Sequence, residues 1–331
     1  MDIIITYVNG LDPKWKKSYN TATSMPILEK RFRDWGTLKF LMRGIENNMP
    51  YIRKVHLIVS QESQIPKWIN RKKVNIVLHR DFIPAKFLPT FNSNTIELHL
   101  HRIKGLDEEF LYFNDDMFPV APTKPEDFFK DGKAVIKFTR HWLALNMFKK
   151  ICRNSYRLAC KASEKKQSFS FLRPQHICSP MLRSSCKEVY EKVKIDINHS
   201  ISRTRTASNY TQYLFLDYMF LNGRIINEKI EKKHFSLAMT SAKKIESFIK
   251  SPTRKIVCIN DVHLSEKRYK KLRRTIMNAF NRRFPHKSKY ERQAIKKWKM
   301  TDSLLTQLSH GSMAMTNDTR RNAGYTAHQT Y

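Results

Sequence analysis

The sequence predicts an α/β fold with a mostly parallel sheet and a helical C-terminal part. Three observations carry that expectation. Short apolar runs of strand length end at Asn, Asp or Gly turn residues. Stretches with apolar residues at helical spacing separate them. Beyond about residue 130 the helical pattern dominates and the chain becomes more basic.

Ile3–Val8 reads as a buried strand that stops at Asn9-Gly10. Phe32–Asn48 places Trp35, Leu38, Leu41, Met42 and Ile45 on one helical face, and Asn47-Asn48 and Pro50 end it. Lys54–Ser60 is a second strand. Pro66–Ile69 is a short turn or helix, and Val74–Leu78 a third strand. Ser93–Ile103 reads as a helix with Ser93 at its N-cap. Phe110–Phe113 is a fourth strand running into Asn114-Asp115-Asp116. Ser184–Lys194, Asn209–Leu221 and Glu266–Arg283 are the clearest later helices, and Ile256–Ile259 is a returning strand that ends at Asn260-Asp261. The first, second, third, fourth and returning strands are expected in one central sheet, with their tips on one crevice. One catalytic domain is expected over 1–295, its α/β core at about 1–130, followed by a polar, partly disordered tail at 296–331.

Of 331 residues, 62 are Lys or Arg and 29 Asp or Glu, giving a net charge of +33. Such a surface attracts phosphates, anionic lipid or nucleic acid. No zinc-finger spacing or aromatic RNA-binding strand marks a dedicated nucleic-acid module. Eight glycines and no Gly-rich phosphate loop mean that side-chain cations, metal or helix N-termini must hold any bound phosphate. No apolar run reaches membrane-span length, and Met1–Ile5 is wrong for a signal peptide. The expected location is cytoplasmic and peripheral at the anionic inner membrane face. Five cysteines, an odd number, suit reduced and buried thiols better than a zinc cluster.

Asp115 and Asp116 follow a strand, where ligands of open α/β sheets bind, and paired carboxylates suit a divalent cation. Asn260 and Asp261 repeat that arrangement. His176 lies between Pro174 and Pro180, a constrained position from which a histidine can act as general base. Arg203 and Arg205 precede a helix start, a natural phosphate clamp. Taken singly, each has a plain structural alternative: an ordinary turn, a packed histidine, a solvated cation.

Together these pieces resemble the Stealth family of polysaccharide phosphotransferases and, more distantly, the catalytic subunit of lysosomal-enzyme N-acetylglucosamine-1-phosphotransferase. Four stretches carry the resemblance in order: Asp2–Asp12; the long region from Arg31-Phe-Arg-Asp-Trp through Leu88-Pro-Thr-Phe-Asn-Ser-Asn to Met117; His176–Tyr218; and Cys258–Asp261 with Phe284–Glu291. Tyr7 departs from the family's usual Trp, and Asn209 from its frequent Asp. The resemblance implies a glycosyltransferase-like nucleotide-sugar-binding sheet and transfer of a sugar 1-phosphate from a UDP-sugar to a glycan or lipid-linked glycan hydroxyl, with release of UMP. It implies Mg2+ or Mn2+ at Asp115, Asp116 and Asp261, with Asn260 beside them. His176 would be base or acceptor guide, the base role being shared in expectation with Asp115 and Asp116, and Arg205 a phosphate clamp. Asn9, Gly10, Asp12, Asn92, Ser93 and Asn114 would contact the nucleotide-sugar. A metal-dependent glycosyltransferase is the nearest alternative, and a basic nucleic-acid-binding protein a remote one.

Overall fold

The computed structural model describes residues 1–293. The chain runs β1 (Asp2–Thr6), α1 (Pro13–Ala22), α2 (Glu29–Phe32), α3 (Leu38–Asn48), β2 (Lys54–Val59), β3 (Asn75–Leu78), α4 (Ser93–Glu97), β4 (Glu109–Asn114) and β5 (Met117–Pro119). Then come β6 (Phe129–Lys130), β7 (Lys133–Val135), β8 (Phe138–His141), α5 (Met147–Ala162), β9 (Phe171–Pro174), β10 (Ser179–Leu182), α6 (Arg183–Lys192), α7 (Lys194–Ser200) and α8 (Tyr213–Leu221). The order closes with β11 (Ile225–Ile226), β12 (Lys232–Ser236), α9 (Ala242–Lys250), β13 (Ile256–Asn260) and α10 (Glu266–Arg283).

The main sheet has the order β10-β4-β1-β2-β3, with β1, β2, β3 and β4 parallel and β10 an antiparallel edge. A central parallel strand is covered on both faces, which is why Ile3, Ile4 and Ile5 are all buried without polar alternation. Asp2 pins the start of this strand. Its buried carboxylate accepts hydrogen bonds from Arg53 at 3.0 and 2.6 Å, His56 at 3.0 Å and the Asp107 amide at 3.0 Å. Burial alone would raise the Asp2 pKa, but these donors bring it below the ordinary carboxylate value.

Four expectations need correction. Ile256–Ile259 does not join the main sheet: β13 lies between β12 and β5 in a separate sheet. The fifth place is taken by β10, and β5, directly after the Asp115-Asp116 turn, bridges the two sheets in sequence. The helix expected from Phe32 begins only at Leu38, with Thr37 at its N-cap, because Trp35 is drawn away to donate its indole N–H to Asp261 at 2.9 Å. α4 ends at Glu97, and its cap is Asn92 rather than Ser93, since the Asn92 side chain accepts from the Asn94 amide. The helix expected from Asn209 starts at Tyr213.

α3 is buried nearly all round. A Cβ at Gly44 would lie 2.5 Å from the Pro119 carbonyl oxygen, so glycine permits the helix to touch β5. Arg43 on the same helix is buried against Glu291 in a two-pronged pair at 2.8 and 2.8 Å, and it also donates to the Phe284 carbonyl at 2.7 Å. Met1–Arg292 form one compact unit. The tail expected at 296–331 lies outside the described residues.

Candidate active site

A cavity of about 350 Å³ opens where the tips of β1 and β4 meet the end of β13. Its acidic wall carries Asp115, Asp116 and Asp261, with Asn114 and Asn260 beside them. β4 delivers Asp115 and Asp116 directly. β13 is held against the same turn by the Ile259 amide, which donates to the Asp116 carbonyl at 2.9 Å. The two strands therefore present their tips to one space although they belong to different sheets.

Burial, then Asp116, Asp34 and Asp261 in that order, push the Asp115 pKa up to about 8. Burial and Asp261 push Asp116 up to about 6, against a hydrogen bond from the Cys258 thiol. Asp116 Oδ1 is buried without a hydrogen-bond partner among the described residues. Crowded carboxylates with an orphaned oxygen fit a hard divalent cation, whose charge would relieve both the repulsion and the missing contact.

The same cavity also carries cations. Arg31, Arg33 and Arg205 line the cavity. Arg205 donates to Ser93 Oγ, which fixes its reach from the loop before α8. Burial and the neighbouring Arg205 lower the pKa of Arg31, so two guanidiniums share one small region. Arg33 stands 3.8 Å from Asp261, so cation and carboxylate meet within the cavity. Aromatic groups, among them Trp15, Trp35 and Phe91, complete the lining.

His176, between β9 and β10, also lines the cavity. Burial, then Lys232, His234 and Arg173, lower its pKa to about 4, which leaves the imidazole neutral at pH 7. Its ring sits 6.1 Å from that of His234, and ligand atoms of His176, His234 and Cys258 lie within 4.8 Å of one another. All five cysteines are free and buried.

Of the residues expected at the site, Asp115, Asp116, His176, Arg205, Ser93, Asn114, Asn260 and Asp261 share this cavity. Asn9, Gly10, Asp12 and Asn92 do not line it, and their polar groups are committed to scaffolding. Asp12 caps α1 and accepts from Ser63 at 2.5 Å and Gln64 at 2.7 Å. Asn9 accepts the Leu11 amide on its side chain and exchanges backbone hydrogen bonds with the Gln64 amide group. Gly10 packs directly on Phe32. Asn92 joins Asn209 at 2.9 Å and caps α4. Asn209, where the family often has Asp, thus holds a buried amide network together and takes no part in the acidic wall.

Asp34 was missed. It accepts from Tyr7 Oη at 2.8 Å and from the Gly36 amide at 2.7 Å, and its charge acts on Asp115. Arg31 and Arg33 were missed with it. The signal was there in Arg31-Phe-Arg-Asp-Trp, five polar or aromatic groups in a row that an interior helix turn would waste. Glu97 is a further buried carboxylate of the lining, paired with Thr211 Oγ1 at 2.5 Å and the Gln212 amide at 3.2 Å.

Comparison with known proteins now adds to this geometry. Residues 31–136 match the family region described as Stealth protein CR2, conserved region 2, and residues 247–299 match Stealth protein CR4, conserved region 4. The capsular polysaccharide phosphotransferase WcwK of Streptococcus pneumoniae is 30% identical, over 88% of this chain and 99% of its own length. The receptor polysaccharide phosphotransferase WefC of Streptococcus oralis is 32% identical over 79% and 90%. The exopolysaccharide phosphotransferase cps2G of Lactiplantibacillus plantarum is 29% identical over 88% and 96%. A crystal structure of the galactosyltransferase LgtC superposes over 83% of this chain and 96% of that chain with TM-score 0.36 and 9% identity, too loosely to bear on function. Both matched regions contribute to the cavity, the first supplying Arg31, Arg33, Asp115 and Asp116 and the second Asn260 and Asp261. The chain belongs to the Stealth family of polysaccharide phosphotransferases.

Proposed function

We propose that this enzyme transfers a hexose 1-phosphate or N-acetylhexosamine 1-phosphate from a UDP-sugar to a sugar hydroxyl, in the synthesis of a capsular, exopolysaccharide or other surface glycan. The observation that carries the reading is a single cavity lined both by the carboxylates Asp115, Asp116 and Asp261 and by the cations Arg31, Arg33 and Arg205. A pyrophosphate chelated to a cation presents both signs of charge, and the two sets of side chains complement one sign each.

In the reaction the acceptor oxygen bonds to the sugar-bearing phosphorus, and the bond from that phosphorus to the UMP oxygen breaks. The acceptor proton passes to a base, UMP leaves, and a phosphodiester joins the sugars. His176 is the proposed base: it is neutral at pH 7 and needs no prior deprotonation. Arg205, steadied by Ser93, and Arg31 bear on phosphate charge as it redistributes. Asp115, Asp116 and Asp261 are the proposed holders of Mg2+ or Mn2+, with Asn260 adjacent. When bound, such an ion neutralises phosphate charge and improves the leaving group. Tyr7 and Trp35 position Asp34 and Asp261 through hydrogen bonds at 2.8 and 2.9 Å.

The acceptor is a glycan or a lipid-linked glycan, and the +33 charge supports reversible contact with an anionic bilayer. No helix of the described residues is long and apolar enough to cross a membrane. The reading is tested with a panel of UDP-sugars, soluble glycan acceptors and a monophosphate-release assay. One donor should yield UMP in an acceptor-dependent way, chelator should stop it, and Mg2+ or Mn2+ should restore it. Full turnover in excess chelator would remove the metal from the scheme.

A further inference from the structure

β8 and β9 form a two-stranded antiparallel ribbon whose last register pair is His141 with Phe171. The chain leaves this end at Trp142 and returns to it through Phe169 and Ser170, and Arg140 ties the two sides by donating to Ser170 Oγ at 2.7 Å. At this ribbon end Trp142 is 67% exposed, Leu143 64%, Leu145 77% and Phe169 91%. Large apolar side chains scattered singly over a surface need no explanation; four on one ribbon end do.

The ribbon strand β8, the apolar turn and α5 carry charge of one sign. Between Gly132 and Ser163 there are eight Lys or Arg residues and no Asp or Glu. Lys149 and Lys150 lie in the first turn of α5, directly after the apolar turn, and Lys149 acts on His141 at the ribbon end. Exposed Trp, Leu and Phe beside lysines match the boundary of an anionic bilayer, where rings and aliphatic chains enter the headgroup layer and cations meet phosphate.

We propose that the turn from Trp142 to Met147, with Phe169, is a membrane-inserting element that seats this enzyme on an anionic lipid surface. The proposal rests on the reading of the chain as a peripheral enzyme and gives that contact a place and an orientation. Phe148, the next residue, lines the catalytic cavity, packs on Tyr213 with ring centroids 6.0 Å apart, and lies under Arg173 at 5.2 Å. Seating the turn in the headgroups brings the adjoining cavity wall to the membrane surface, where a lipid-anchored acceptor sugar is presented. Two weak signals combine here, apolar insertion and basic attraction, as reversible membrane binding requires.

The test is flotation of the full chain with vesicles of phosphatidylcholine alone or with 30% phosphatidylglycerol added. The wild type should float with the anionic vesicles and release in high salt. The double variant Trp142→Ala/Leu143→Ala, and separately Phe169→Ala, should lower the partition coefficient about tenfold. Met239→Ala, at an isolated exposed position, should not change it. All variants should keep wild-type transfer to a soluble acceptor. If the wild type floats and the ribbon-end variants float equally well, this surface is not the element, although membrane contact stands. If the wild type does not float, both fall. Binding retained on phosphatidylcholine alone would overturn the basic half of the proposal, and loss of soluble-acceptor transfer would place the turn in catalysis.

Discussion

Replacing Gly10 with alanine should damage the active site without removing any group that touches a ligand. A Cβ at this position would stand 2.6 Å from the Phe32 carbonyl oxygen and 2.8 Å from Phe32 Cβ, and the Gly10 amide already donates to that carbonyl at 2.7 Å. The nearest obstacle is backbone, so no side-chain rotation relieves it. The Phe32 segment must retreat by roughly 1 Å, and such overpacking costs about 1–3 kcal/mol. Phe32 stands between Arg31 and Arg33, both in the cavity lining, and two residues before Asp34. A 1 Å displacement of positioning groups costs about a hundredfold in rate. Urea denaturation and monophosphate release, measured on one preparation, read the two effects separately. A wild-type midpoint with wild-type turnover would refute the packing argument. Lost stability with full turnover would refute the coupling of Gly10 to Arg31 and Arg33.

Three further outcomes follow from the same geometry. Arg43→Ala should cost about 3–5 kcal/mol in urea denaturation, because it removes the guanidinium paired with the Glu291 carboxylate in a site where the pair is only 8% and 5% exposed. His176→Ala should lower turnover about a hundredfold or more while calorimetry finds donor binding nearly intact, whereas Arg205→Ala should weaken both and Arg205→Lys restore only part. The Asp2 pKa is depressed in the folded state, so its contribution is present above the unfolded value of about 3.9 and is lost as pH falls through the folded value. Asp2→Asn should therefore flatten the acid limb of a stability–pH curve, and an unchanged limb would show that other carboxylates govern it.

Much of the site was legible because strand ends are local signals. Asn114-Asp115-Asp116 and Asn260-Asp261 each follow a short apolar run, and those strands formed within a residue or so of expectation. Sheet membership was not local: Ile256–Ile259 is as apolar as a central strand of the main sheet, and only pairing with β5 and β12 sends it elsewhere. α5 went unread although it is 16 residues long, because its basic residues masked a buried stripe of Ile151, Cys152, Tyr156 and Ala159. Asn9, Gly10 and Asp12 sit at a strand tip just as Asp115 does. What separates them is Gln64, Ser63 and Phe32, brought from distant sequence to occupy their polar groups and space. Asp34 was hidden for the converse reason: the stretch that contains it reads as helix, and only the tertiary pull of Tyr7 and Asp261 unwinds it.

The fate of the sugar-bearing phosphorus tests the central claim most directly. A UDP-sugar labelled with 32P in that phosphate is incubated with enzyme, soluble acceptor glycan and Mn2+, and nucleotide and glycan products are then separated. Transfer of a sugar 1-phosphate places the label in the glycan, in phosphodiester linkage, with unlabelled UMP released. Label recovered in UDP, with an unlabelled glycan product, would contradict the account and make the enzyme a glycosyltransferase.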